Sequence, residues 1–143
     1  MNKLIIVFAF IGVSTFAQKP KVFSTEDGAT NGYDPVAYFE DSKPAKGVKE
    51  FSYTWNDAVW YFSSTENLEA FKSDPGKYAP QYGGYCAFGT SRGYKASTLP
   101  EAWTVYNDKL YLNYNLKVLE TWTKTKEEFI IKADKNWKEI EMK

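Results

Sequence analysis

Apolar and polar residues alternate in Phe51-Ser52-Tyr53-Thr54-Trp55. A period of two places every second side chain on one face and predicts a half-buried strand. Asn56-Asp57 follows. This pair tolerates positive φ and predicts a tight turn. Val59-Trp60-Tyr61-Phe62 predicts the return strand. Ser63 then stands three residues before Glu66, the spacing of a capping box. Leu68, Ala70 and Phe71 supply the buried side of a short helix, which Asp74-Pro75-Gly76 ends. The pattern recurs downstream. Trp103 to Tyr106 is strand-like, Asn107-Asp108 is the turn and Leu110-Tyr111-Leu112 returns. Asn115 is placed to cap a helix carrying Leu116, Leu119 and Trp122. Thr125 with Glu128 forms a second capping box, ahead of an amphipathic run through Phe129, Ile130, Ala133, Trp137 and Ile140.

The two units align without gaps at an offset of 51, which sets Asn56-Asp57 on Asn107-Asp108 and Phe71 on Trp122. Hairpins dominate and strands do not alternate with helices as in βαβ units. The predicted class is therefore α+β, with antiparallel hairpins packed with helices, two hairpin–helix units and C-terminal amphipathic helices. Residues 32–143 form one predicted domain. Gly32 to Phe39 has no helical period, and Pro35 fits a turn or strand start. Glu40 to Lys49 reads as a surface loop. Gln18 to Asn31 is polar and reads as an extended, loosely held arm.

Residues 1–17 have a different pattern. Lys3 precedes a short apolar run from Leu4 to Val13, and Thr15 and Ala17 are small residues placed for a cut after Ala17. This predicts a secretory signal peptide, and hence a periplasmic or secreted product. The run is too short for a membrane span, which needs about 20 apolar residues.

Composition narrows the chemistry. The chain has no histidine and one cysteine. Histidine-based triads, His-ligated zinc, an internal disulfide and a CxxC pair are all excluded. Lys+Arg and Asp+Glu balance at 18 each, so no basic field marks a nucleic-acid surface. Aromatic residues are in excess, at 18% of the chain.

Cys86 lies in Tyr82-Gly83-Gly84-Tyr85-Cys86, where the glycines permit tight turns and close approach. It has three readings: a buried inert thiol, a redox-sensing thiol, or a copper(I) ligand. Tyr33, Asp34, Tyr38, Trp60, Tyr82 and Tyr85 are candidates for an aromatic pocket, against the alternative that the rings fill the core. Asp34 either braces the turn before Pro35 or serves as a base or cation ligand. Gly83 to Gly93 lacks the phosphate-loop pattern. The charges from Lys124 to Lys143 read as a solvated helix face.

Asp34-Pro35-Val36, the aromatic hairpin, Tyr61-Phe62 with Ser63, then Phe71 and Asp74-Pro75-Gly76-Lys77-Tyr78 together resemble the YHS domain family over residues 33–78. The longer stretch to Asn115 looks like secreted bacterial YHS-domain proteins. The resemblance implies a small module that in cysteine-bearing relatives is associated with metal. Here the three cysteine positions hold Ala37, Ser63 and Asn67, so that role does not carry over and no cofactor is implied. The expectation is a non-enzymatic binding or accessory module for a small molecule or partner. Its expected ligand-binding residues are Tyr33, Asp34, Tyr82, Tyr85 and Cys86, on the Gly32–Tyr38 and Gly83–Gly93 segments. The alternatives are metal handling through Cys86 and thiol redox sensing.

Overall fold

The computed structural model describes residues 5–6 and 18–143. The expected signal peptide lies, apart from Ile5 and Ile6, outside the described residues. A short hairpin pairs β1 (Ser24–Thr25) with β2 (Gly28–Ala29), and α1 (Ala37–Glu40) follows. The first large hairpin is β3 (Val48–Trp55) with β4 (Ala58–Phe62). It leads into α2 (Thr65–Ser73) and α3 (Pro75–Tyr78). After α4 (Ala87–Ser91), a second hairpin pairs β5 (Trp103–Tyr106) with β6 (Lys109–Leu112). The chain ends in α5 (Leu116–Lys124) and α6 (Lys126–Ile140). The class is α+β, with three two-stranded antiparallel sheets among the described residues packed against helices.

Local chemistry sets both hairpins. Asn56 and Asp57 have φ of 53° and 60°, and Asn107 and Asp108 have 50° and 59°. Both central residues are left-handed, the geometry that matches the twist of paired strands. The resulting registers place Trp55 opposite Ala58 and Tyr106 opposite Lys109. The offset seen in the sequence survives in the elements, since α2 and α5 begin and end 51 positions apart. Their caps correspond too. Ser64 Oγ accepts from Asn67 N at 3.1 Å, and Asn115 Oδ1 accepts from Val118 N at 2.8 Å.

A two-stranded hairpin is marginal in water, so each depends on the helices that cover it. In the first unit, Phe71 of α2 is wholly buried against Tyr53, Trp55, Trp60 and Phe62 of the hairpin. In the second, Trp122 of α5 packs on Tyr111 of β6 with ring centroids 5.4 Å apart, beside Tyr82 and Ala133. A third cluster joins the two units through Tyr38, Leu110 and Leu112.

Four expectations change. The cap of α2 is Ser64, not Ser63, because the Ser63 hydroxyl is committed to Asp34. Thr125 stands at the cap position of α6 but makes no side-chain capping bond. The Gly32–Phe39 segment, expected to have no helix, makes the turn expected at Pro35 and continues into α1, since Asp34 Oδ1 accepts from Val36 N and Ala37 N. The arm is tied down, not loose. Val22 and Ala29 are buried, and Lys19 N donates to the Lys143 carbonyl at 3.0 Å. Lys95 completes the tie. Its buried ammonium donates to the carbonyls of Lys19, Pro20 and Glu141 and lies over the rings of Tyr85 and Trp137.

Candidate functional site

Asp34 shares one polar cluster with Ser63 and Asn67. Its carboxylate is fully buried and receives five hydrogen bonds. Oδ1 accepts from the Val36 and Ala37 amides. Oδ2 accepts from Ser63 N, Ser63 Oγ and Asn67 Nδ2 at 2.7–2.8 Å. Ser63 and Asn67 thus point donors at one carboxylate, and the amide of Ala37 does the same. An acceptor surrounded by donors is a brace between α1, the end of β4 and α2. The donor set opposes a cation at this point.

Cys86 sits where the connector from α3, residues 79–86, enters α4. Its Sγ accepts from Tyr114 N at 3.2 Å and Gly89 N at 3.4 Å, and its S–H faces Asn113 Oδ1 at 3.5 Å. Asn113 is held in turn by the Phe88 amide. The residue is 2% exposed and forms part of the wall of a cavity of about 280 Å³ with Phe88, Tyr94, Tyr114 and Val118. Burial pushes the thiol pKa up, against the lowering effect of the amide bonds. The thiol form predominates at neutral pH and reactivity is low. Native Cys86 is expected to react with iodoacetamide at least about tenfold more slowly than the unfolded chain. A rate equal to that of unfolded protein would contradict this placement.

A cleft of about 520 Å³ lies between the two hairpin–helix units. One wall comes from Trp55 and Asn56 at the first hairpin turn, with Gly76 and Ala79. Lys109 opens the second hairpin's return strand, and Asp134, Trp137 and Lys138 of α6 form the opposite side. Lys21 and Val22 of the arm close one end. Tyr82 belongs to the wall in a costly conformation, at φ 58° and ψ 35°. A left-handed backbone is unusual for a bulky residue and concentrates at functional sites. Gly83 and Gly84 continue it with φ of 62° and 84°, and a Cβ on Gly83 would collide with the Lys21 carbonyl. The result is a ring packed between Tyr111 and Trp137, with its hydroxyl donating to Asp134 Oδ1 at 2.8 Å. Burial, then the Asp134 hydrogen bond, push the Tyr82 pKa up, so the phenol stays neutral.

The five expected ligand-binding residues do not share one pocket. Tyr82 borders the cleft and Cys86 borders the smaller cavity. Tyr33 is half-buried and bridges to Lys46. Tyr33, Asp34 and Tyr85 border neither cavity. The Tyr85 hydroxyl donates to the Pro20 carbonyl at 2.6 Å, which makes it an anchor for the arm. Of the other pocket candidates, Trp60 reaches the cleft but has no exposed surface, and Tyr38 joins the third core cluster. Trp55, Trp137, Lys21, Lys109 and Lys138 also line the cleft and were not among the expected site residues. Trp137 stands on the apolar stripe of its amphipathic run, and periodicity alone assigns it to the core.

Among the described residues, no three Cys, Asp or Glu side chains gather as a metal-binding group, and no helix is long and apolar enough to cross a membrane. No family model matches the chain, and comparisons with curated proteins and with solved structures find no match.

Proposed function

We propose that this protein is a non-enzymatic binding module, secreted or periplasmic, built on a YHS-like scaffold. Its site is the cleft between the two hairpin–helix units. The observation that carries the reading is the cleft itself. Its volume of about 520 Å³ lies in the range of small-molecule pockets, about 300–1,000 Å³. Partly exposed tryptophans line it, and a strained tyrosine borders it. Its titratable groups favour retention over chemistry. Tyr82 is held neutral, and Asp134 accepts its hydrogen bond instead of standing free as a base.

The scaffold reading rests on the resemblance over residues 33–78, and the location rests on the leader pattern. The Asp34 brace supports a role for that region in stability. Metal handling and redox sensing through Cys86 receive less support, because the thiol is buried and its pKa is raised.

Gly76 gives a clean test. It lies on the cleft wall, and a Cβ there would approach only Asp74 Oδ1, at 3.9 Å. Gly76→Trp is expected to fill the mouth of the cleft and leave thermal stability within a few degrees of wild type. Small aromatic compounds that bind the wild type in equilibrium dialysis should lose binding in Gly76→Trp. Unchanged binding in a folded Gly76→Trp protein would reject the cleft as the site.

A further inference from the structure

We infer that the cleft selects a flat aromatic anion, a ring system carrying a carboxylate or sulfonate, over neutral and cationic analogues. This rests on the cleft being the binding site, and it adds the chemical class of the ligand. Lys21, Lys109 and Lys138 all line the cleft. The ion pairs among the described residues are Lys72–Glu69 and Lys126–Glu127, so none of these three lysines has a carboxylate within 4.0 Å.

The two carboxylates on the same walls have other partners. Asp134 accepts the Tyr82 hydroxyl. Glu141 lies near Lys95, where its charge favours the lysine's protonated form. The cleft lining therefore carries three ammonium groups against two carboxylates, a net charge of +1. An incoming anion meets a net attraction from this lining, and an incoming cation a net repulsion. A solvent-lined mouth weakens each contribution without changing its sign.

Shape selects the ring. Trp55 approaches from the first hairpin and Trp137 from α6, and both keep part of their surface exposed. Their exposed parts offer aromatic contact surface to a planar ligand. Trp55 is backed by Trp60 and Phe71, and Trp137 by Tyr82 and Tyr85, so neither ring needs reordering on binding.

Three probes of matched shape separate the possibilities: naphthalenesulfonate, naphthylmethanol and naphthylmethylammonium. Each is titrated into the full protein and followed through the indole N–H resonances of Trp55 and Trp137. The sulfonate is expected to bind tightest and the ammonium weakest, with sulfonate affinity falling as salt is raised. Lys21→Gln, Lys109→Gln and Lys138→Gln combined should weaken sulfonate binding about tenfold and leave naphthylmethanol unchanged. Equal affinity for all three probes, or tightest binding of the ammonium, would overturn the anion preference while the cleft remained the site. No shift of either indole with any probe would overturn the cleft assignment and this inference with it.

Discussion

Phe71→Ala is expected to remove about 3–5 kcal/mol of stability, the range for deleting a fully buried aromatic ring. Phe71 is 0% exposed. Its ring centroid lies 5.0 Å from that of Phe62, 5.2 Å from Trp60, 5.8 Å from Trp55 and 6.3 Å from Tyr53. This side chain of α2 thus touches four rings of a hairpin that has no third strand among the described residues. With total stability commonly about 5–15 kcal/mol, the loss would be a large fraction of the whole. Urea unfolding followed by tryptophan emission measures it. Because Trp55 and Trp60 lean on Phe71, the same substitution should loosen the first wall of the cleft. A loss below about 1 kcal/mol would mean that the hairpin is held by something other than this contact.

Asp34→Ala is expected to be comparably damaging, at about 3–5 kcal/mol, because buried donors that lose their acceptor cost about 1–3 kcal/mol each. The substitution strands the buried Val36 and Ala37 amides, and it removes the acceptor that ties Ser63 and Asn67 to the α1 turn. Asp34→Asn does not repair the loss, since one oxygen becomes a donor facing donors. Ser63→Ala should cost less, about 1–3 kcal/mol, because it removes one charge-assisted bond and leaves the carboxylate four others. The expected order by denaturant unfolding is Asp34→Ala above Ser63→Ala. The reverse order would contradict the central place of the carboxylate.

These two residues show what kind of information the chain carries locally. The hairpins were legible because alternation and Asn-Asp turns act over a few residues. The helix after the first hairpin was legible too, but its cap was displaced by one position. Ser63 and Ser64 are equivalent capping residues in sequence. The choice between them is made by Asp34, 29 positions away, which takes the Ser63 hydroxyl. The arm misled for a similar reason. Its polar composition conceals Val22 and Ala29, whose burial depends on the first unit, and a tie through Lys95 that spans 76 positions to Lys19.

The candidate site was legible only in part. Tyr82 and Cys86 stood out from their glycine-rich setting, and the fold sends them to different cavities. Asp34 stood out beside Pro35, and the fold uses it as the turn brace that was one of its two readings. The cleft walls come from the arm, both hairpins, the connector and α6, segments that no local pattern relates. Lys138 was read as part of a solvated face. It is exposed, but it also faces the cleft, a distinction that one helix's periodicity does not contain.

The most direct measurement is amide and indole chemical-shift mapping of the protein titrated with naphthalenesulfonate. Saturable shifts are expected at Trp55, Gly76, Tyr82 and Trp137, with Tyr94, Tyr114 and Val118 unmoved. Shifts centred on Tyr94, Tyr114 and Val118 around Cys86, or none at the cleft, would contradict it.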